Sequence, residues 1–348
     1  MIERRFVARL AGVAVCMVVL LAAMAVAVPA ARAQAVGTHA IDIPPWFAKT
    51  FLDFREDVRD AAKQGKRLLV YFGQDGCPYC TRLMATNFSQ KAIVAKTQRH
   101  FVAIDINVWG DREVTWTDGK TMTEKEFAAL LKVQFTPTLL FFDEQGNVVV
   151  RLNGYYPPHR FEAALDYVAG KMEKRVPFAE HMKTAVKEPA SATLHDAPFF
   201  MKEPLDLRRK PGGKPLAVVF ETPHCTGCDE MHTEGFPRRE VRAQLARFDV
   251  ARVALGANAT LVTPDGRKRT GAAWARELAV AYTPSIAFFD DRGREVFRIE
   301  AYLRPFHLTG SFDYVASGAY RTEPSFQRFL QAKAEKIRET GGTVDLWK

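Results

Sequence analysis

The chain has 348 residues, 47% of them hydrophobic and 26% charged, with a formal charge of +9. That length holds two cores of ordinary size, and the balance excludes a disordered or fibrous chain. Arg4, Arg5, Arg9 and Arg32 against Glu3 account for three of the nine charges, and the rest form no Lys/Arg block, so composition gives no argument for nucleic acid as a partner.

In chain order, Arg4, Arg5 and Arg9 precede an apolar run from Leu10 to Val28 that ends in Pro29 and the small residues "AARAQA". That is the layout of a secretory signal peptide cleaved after Ala33, which makes residues 1–33 a leader and the periplasm the expected location. A retained anchor is the alternative reading, because about 19 apolar residues span a bilayer. Cys16 leaves with the leader, and the four remaining cysteines all fall in two CxxC pairs, Cys77-Pro-Tyr-Cys80 and Cys225-Thr-Gly-Cys228.

The segment "PPWFAKTFLDFREDVRDAAKQG" carries apolar residues at helical spacing and is read as a helix stopping at Gly65. "RLLVYF" from Arg67 reads as a buried strand, followed by a polar loop and a helix that begins at the cysteines; Pro78 is tolerated there because first-turn N–H groups have no intrahelical acceptor. "HFVAIDINV" is a second strand and "VTWTDGKTMT" a hairpin turning at Asp118-Gly119. Thr123 and Glu126 form a capping-box pattern ahead of a helix with Phe127, Leu130 and Leu131. After Thr136-Pro137, "TLLFFD" and "NVVVRL" read as an antiparallel hairpin, and a last helix is expected over about Arg160 to Lys174.

The second half repeats the first. An offset of 148 carries Cys77 to Cys225, Cys80 to Cys228, Phe72 to Phe220 and Phe88 to Phe236. An offset of 147 carries the 33 residues from Thr136 onto those from Thr283 without a gap, 13 of them identical. A repeat of this length with its own strands and helices is a whole domain. The expected organisation is a first domain over 34–175, a polar, proline-bearing and partly helical linker over 176–195, and a second domain over 196–348 that ends in an extra helix around Ser325 to Glu339. Each is an α/β unit, a mixed sheet flanked by helices.

Residues three apart on the first turn of a helix share a face, so Cys77 and Cys80 can close a disulfide without bending the backbone. The helix N-terminus favours a thiolate on the cysteine nearest to it. That makes Cys77 the expected nucleophile and Cys80 the cysteine that resolves the mixed disulfide, with Cys225 and Cys228 in the same roles. Against this stand a permanent structural disulfide, which so short a loop would stabilise little, and haem attachment, excluded because Thr81 and Asp229 follow the second cysteines where His is needed. A zinc site shared by both pairs would need ligands far outside compact spacing. "HCTGCDEMH" gathers His224, Cys225, Cys228, Met231 and His232, a set suited to copper(I).

A strand, an exposed CxxC at a helix start and Thr-Pro about 60 residues on resemble the thioredoxin superfamily. More narrowly, both copies resemble periplasmic thioredoxin-related proteins of bacterial sulfur oxidation. The resemblance implies two tandem thioredoxin-like domains in which Pro137 and Pro284 are cis and face the cysteine pairs, with Thr136 and Thr283 binding substrate through their backbones. It implies a thiol–disulfide oxidoreductase without organic cofactor, working through the Cys77–Cys80 and Cys225–Cys228 couples on thiols or disulfides of exported proteins, and reset by a membrane redox partner. Tyr79, between the cysteines, is expected to be exposed near a docked substrate. The alternative is a copper(I)-binding protein or redox scaffold whose second domain is not catalytic. The family's buried acid, six residues before the first cysteine, is replaced by Tyr71 and Val219, so proton handling must differ.

Overall fold

The computed structural model describes residues 40–186 and 188–345, and the leader read over residues 1–33 lies outside them. The first repeat runs α1 (Phe54–Lys63), β1 (Arg67–Gly73), α2 (Pro78–Arg82, prolonged by a π turn over Leu83–Asn87), α3 (Lys91–His100) and β2 (Phe101–Asn107). It continues with the hairpin β3 (Glu113–Thr115) and β4 (Thr121–Thr123), α4 (Glu124–Leu130), β5 (Thr138–Phe142), β6 (Val148–Asn153), α5 (Pro158–Ala169) and α6 (Phe178–Ala185). The second runs β7 (Leu216–Glu221), α7 (Thr226–Glu230, with a π turn over Met231–Gly235), α8 (Arg239–Leu245), β8 (Asp249–Ala254), β9 (Thr260–Val262) and β10 (Lys268–Thr270). Then follow α9 (Gly271–Glu277), β11 (Ser285–Phe289), β12 (Glu295–Ile299), α10 (Pro305–Ala316) and α11 (Phe326–Glu339).

Each repeat builds one four-stranded mixed sheet, ordered β2-β1-β5-β6 and β12-β11-β7-β8. In both, the strand leading to the cysteines sits inside the sheet, parallel to one neighbour and antiparallel to the other. All of β1 is buried because helices cover both faces, and its alternate residues feed two cores. Leu69 and Tyr71 join Phe161 and Leu165 on one side, while Leu68, Val70 and Phe72 join Phe54, Val58 and Phe127 on the other.

The capping box at Thr123 and Glu126 is present, with Thr123 N–H donating to Glu126 Oε2 at 2.8 Å. Three local expectations need correction. The helix before β1 starts only at Phe54, because the Asp53 carboxylate caps its first N–H groups. A break at residues 88–90 splits the helical region between β1 and β2 into the cysteine helix and α3. The helix expected to reach Lys174 ends at Ala169, and Lys171 takes a left-handed conformation (φ 52°).

The helix after α10 is not peculiar to the second repeat. α6, inside the segment read as linker, is its counterpart: Phe178 and Phe326 stand at equivalent positions. Both follow the same tether, in which the hydroxyls of Tyr167 and Tyr314 donate to the Val176 and Glu323 carbonyls at 2.6 Å.

These helices clasp an exchange of aromatic residues between the repeats. Phe135 belongs to the first repeat but is buried in the core of the second, 5.5 Å from Phe326 and 6.1 Å from Phe297 between ring centres. Its equivalent, Tyr282, packs against the first core, 5.5 Å from Phe178, and its hydroxyl accepts from Arg151 N–H at 2.8 Å. Gln327 Nε2 further donates to the Gln134 carbonyl at 2.8 Å. Equivalent surfaces meeting in this reciprocal way make an isologous contact, here within one chain.

Candidate functional site

The two cysteine pairs are built alike. β1 ends at Gly73 and the chain turns through Gly76 (φ 72°) into Cys77, whose extended backbone makes it the N-cap of α2, with Pro78 at the first helical position. Cys77 Sγ accepts the Cys80 N–H at 3.1 Å, and Cys225 Sγ accepts the Cys228 N–H at 3.1 Å. Both pairs are closed as disulfides, with Cα atoms 5.2 Å apart. An amide aimed at the capping sulfur stabilises it as an anion once the disulfide opens.

The Thr136–Pro137 and Thr283–Pro284 peptide bonds are cis. Cys77 Sγ lies 3.5 Å from the Thr136 carbonyl oxygen. In the second repeat a Cβ on Gly227 would stand 3.0 Å from Pro284 Cδ, so the Cys225–Cys228 turn rests directly on that proline. The structure thus brings each cysteine pair and its Thr-Pro together.

Exposure is where the structure departs from expectation. Cys77 is 4% exposed and Cys225 9%, against 0% and 3% for Cys80 and Cys228, so the first cysteine of each pair is the more accessible one but is not open to solvent. Cys77 is part of the buried cluster of the first repeat, against which Tyr79, Tyr155 and Tyr156 also pack. Between the repeats lies a cavity of about 360 Å³, lined among others by Cys225, Thr136, Pro284, Tyr79, Tyr302 and Arg304. Tyr79 is half-buried rather than exposed: it reaches across to His307, 5.7 Å between ring centres, and burial pushes its phenol up to about 12. Burial likewise pushes the His307 imidazole down to about 4.

The copper set does not assemble. Met231 is 1% exposed in the core of the second repeat, and His232 Nε2 lies 2.7 Å from Glu221 Oε1. His224 is exposed on a left-handed residue (φ 58°). Among the described residues, no three His, Cys, Asp or Glu side chains converge as a metal site. Two pairs escaped the sequence reading: Glu221 with His232, and His195 with Asp229 at 2.6 Å. A signal for the first was there, an acid closing the otherwise apolar strand "LAVVFE".

Two α/β domains, each with a CxxC disulfide at a helix start beside a cis Thr-Pro bond, define a tandem thioredoxin-fold protein. The thioredoxin-like domain family matches the chain twice, over residues 54–169 and 208–316, more than half its length. The chain belongs to that family. It is similar to a thioredoxin-fold protein from Helicobacter pylori (25% identity, 40% of this chain and 95% of that one, TM-score 0.33). It is also similar to a thioredoxin from Thermus thermophilus (26% identity, 34% and 85%, TM-score 0.28). It is likewise similar to a DsbH oxidoreductase (16% identity, 39% of this chain and 95% of that one, TM-score 0.26). No curated protein matches the sequence.

Proposed function

We propose that the protein is a thiol–disulfide oxidoreductase with two centres, Cys77–Cys80 and Cys225–Cys228, acting on thiols or disulfides of exported proteins. The observation that carries this reading is the pairing, found twice, of a capping cysteine sulfur with the amide of its partner and a neighbouring Thr-Pro edge. In the reducing direction the Cys77 thiolate attacks a substrate disulfide, forms a mixed disulfide and releases one substrate thiolate. The Cys80 thiolate then attacks Cys77 Sγ, and the second substrate sulfur leaves with its electron pair. Two electrons pass to the substrate, two protons end on its thiols, and the Cys77–Cys80 disulfide is regenerated; the oxidising direction is the reverse.

Thr136 and Thr283 are assigned to hold substrate backbone beside Pro137 and Pro284. Tyr79 is assigned to the substrate path through the cavity. The leader-like segment up to Ala33 supports a periplasmic location, and a membrane redox protein is the proposed partner that resets the couples. Cys77→Ser is expected to abolish turnover at the first centre and Cys80→Ser to accumulate mixed disulfides, read by non-reducing electrophoresis and mass spectrometry. Insulin reduction by the first centre, measured with the second disabled, that survives both substitutions unchanged would remove it from the mechanism.

A further inference from the structure

Glu221 closes β7 four residues before Cys225, and its side chain is only 1% exposed. One carboxylate oxygen meets His232 Nε2 at 2.7 Å, and the other, Oε2, is buried without a hydrogen-bond partner. An unsatisfied buried oxygen costs stability and needs an explanation. His232 stands four residues beyond Cys228 in one uninterrupted helical run, and therefore on the same face one turn on. So helical spacing sets His232, and with it the Glu221 carboxylate, one turn beyond Cys228 on the helix that carries the second cysteine pair.

The groups that face this pair come from several elements. His195, from the segment joining the repeats, stacks on His232 with ring centres 4.7 Å apart, and its Nε2 is 2.6 Å from Asp229 Oδ1. Phe200 and Phe236 close the remaining sides. From β8, Arg252 lies over the Phe200 ring at 5.4 Å and is 3.8 Å from Asp196.

The fold does not require this pair. In the first repeat Gly73 takes the place of Glu221, and Met84 that of His232. The same spot is nevertheless filled there by an oxygen: the Tyr71 hydroxyl stands where a Cβ on Gly73 would be, and it too is buried without a partner. Positions 71 and 73 share one face of the strand, so each repeat buries an unpartnered oxygen on this face, from neighbouring positions. Burial drives the Tyr71 phenol well above its ordinary range, so it keeps its proton throughout neutral pH.

We infer that the His232 imidazole, positioned by Glu221, accepts the proton of Cys228 during exchange at the second centre, and that the first centre has no equivalent base. The inference rests on the oxidoreductase reading above. With substrate held on Cys225 as a mixed disulfide, the Cys228 thiol gives its proton to the pair, and the thiolate attacks Cys225 Sγ. The Cys225–Cys228 bond forms and the Cys225–substrate bond breaks. The substrate sulfur leaves with the electron pair and takes up the proton.

The test uses the full chain with Cys77→Ser and Cys80→Ser, so that only the second centre reports. Oxidation of its dithiol by oxidised glutathione is followed from about pH 6 to pH 9, spanning the range in which an imidazole and a thiol ordinarily titrate. Glu221→Gln and His232→Gln are each expected to slow oxidation about 100-fold near pH 6.5 and far less near pH 9, where hydroxide competes as the base. Slowing by the same factor at every pH, or none, overturns the assignment. If the unsubstituted second centre does not pass between dithiol and disulfide at all, the oxidoreductase reading fails instead.

Discussion

Asn153 and Glu300 hold the same position in the two repeats and bond to each other, Asn153 Nδ2 donating to Glu300 Oε2 at 3.0 Å. With the reciprocal placement of Phe135 and Tyr282, this makes the tandem a closed pair in which each repeat completes the other's core. Phe135→Ala is expected to cost about 3–5 kcal/mol, like other large-to-small core changes, and to destabilise the second repeat although the residue belongs to the first. Urea unfolding followed by probes in each repeat checks this; two independent transitions, only the first moved by the substitution, would contradict it.

Burial already raises the Glu300 carboxyl above its ordinary range, with Arg298 and Arg151 acting against that rise. Asn153→Asp would set a second carboxylate against it and remove the donor. The variant is expected to lose about 1–3 kcal/mol at neutral pH and to recover stability on acidification, as one carboxyl takes up a proton. Thermal unfolding across pH reads the recovery; a loss that is constant with pH speaks against this facing arrangement.

Gly227 is fixed by close approach rather than by its backbone angle, because a Cβ there meets the ring of Pro284 at 3.0 Å. Its counterpart, Tyr79, instead reaches His307 of the other repeat. Gly227→Ala is expected to cost about 1–3 kcal/mol through overpacking and to slow the second centre while leaving Cys77–Cys80 chemistry unchanged. Rates measured with either pair disabled separate the two effects.

Acid should weaken the first repeat through Glu144. The Arg67 guanidinium, whose side chain is 3% exposed, bonds Glu144 at 3.1 Å and Glu173 at 2.8 Å. Arg67, aided by Lys171, holds the Glu144 carboxyl down at about 2, against an unfolded value of 4.5. A depressed folded value stabilises above the unfolded one, so the contribution is complete above about pH 4.5 and is lost as pH falls towards 2. Glu144→Gln is expected to flatten the acid limb of stability over that window, measured as the urea midpoint against pH.

Much of this was legible beforehand because it is local or repetitive. The strand before each CxxC, the capping box at Thr123 and the register of the two copies follow from periodicity, punctuation and offset. The clasp was not legible: Phe135 and Tyr282 look like ordinary aromatic residues before Thr-Pro, and nothing local says that each packs into the other domain. For the same reason Tyr79 was expected to be exposed, although it reaches His307 of the second repeat. A helical stretch in the linker was expected, but that α6 matches α11 was not legible, because only Phe178 among its residues is buried. Glu221 and Tyr71 bury their oxygens on the same strand face from alternate positions, which an alignment of the copies position by position conceals.

On the proposed function, both disulfides exchange electrons with thiols in the folded chain. That exchange is tested most directly by equilibrating the full-length protein in thiol–disulfide buffers of graded potential, trapping free cysteines by alkylation, and weighing the product. Two reversible two-electron transitions are expected, one for each pair, each abolished by replacing its first cysteine. Cysteine pairs that stay closed and unalkylated until the protein unfolds would make these disulfides structural and rule out the proposed exchange.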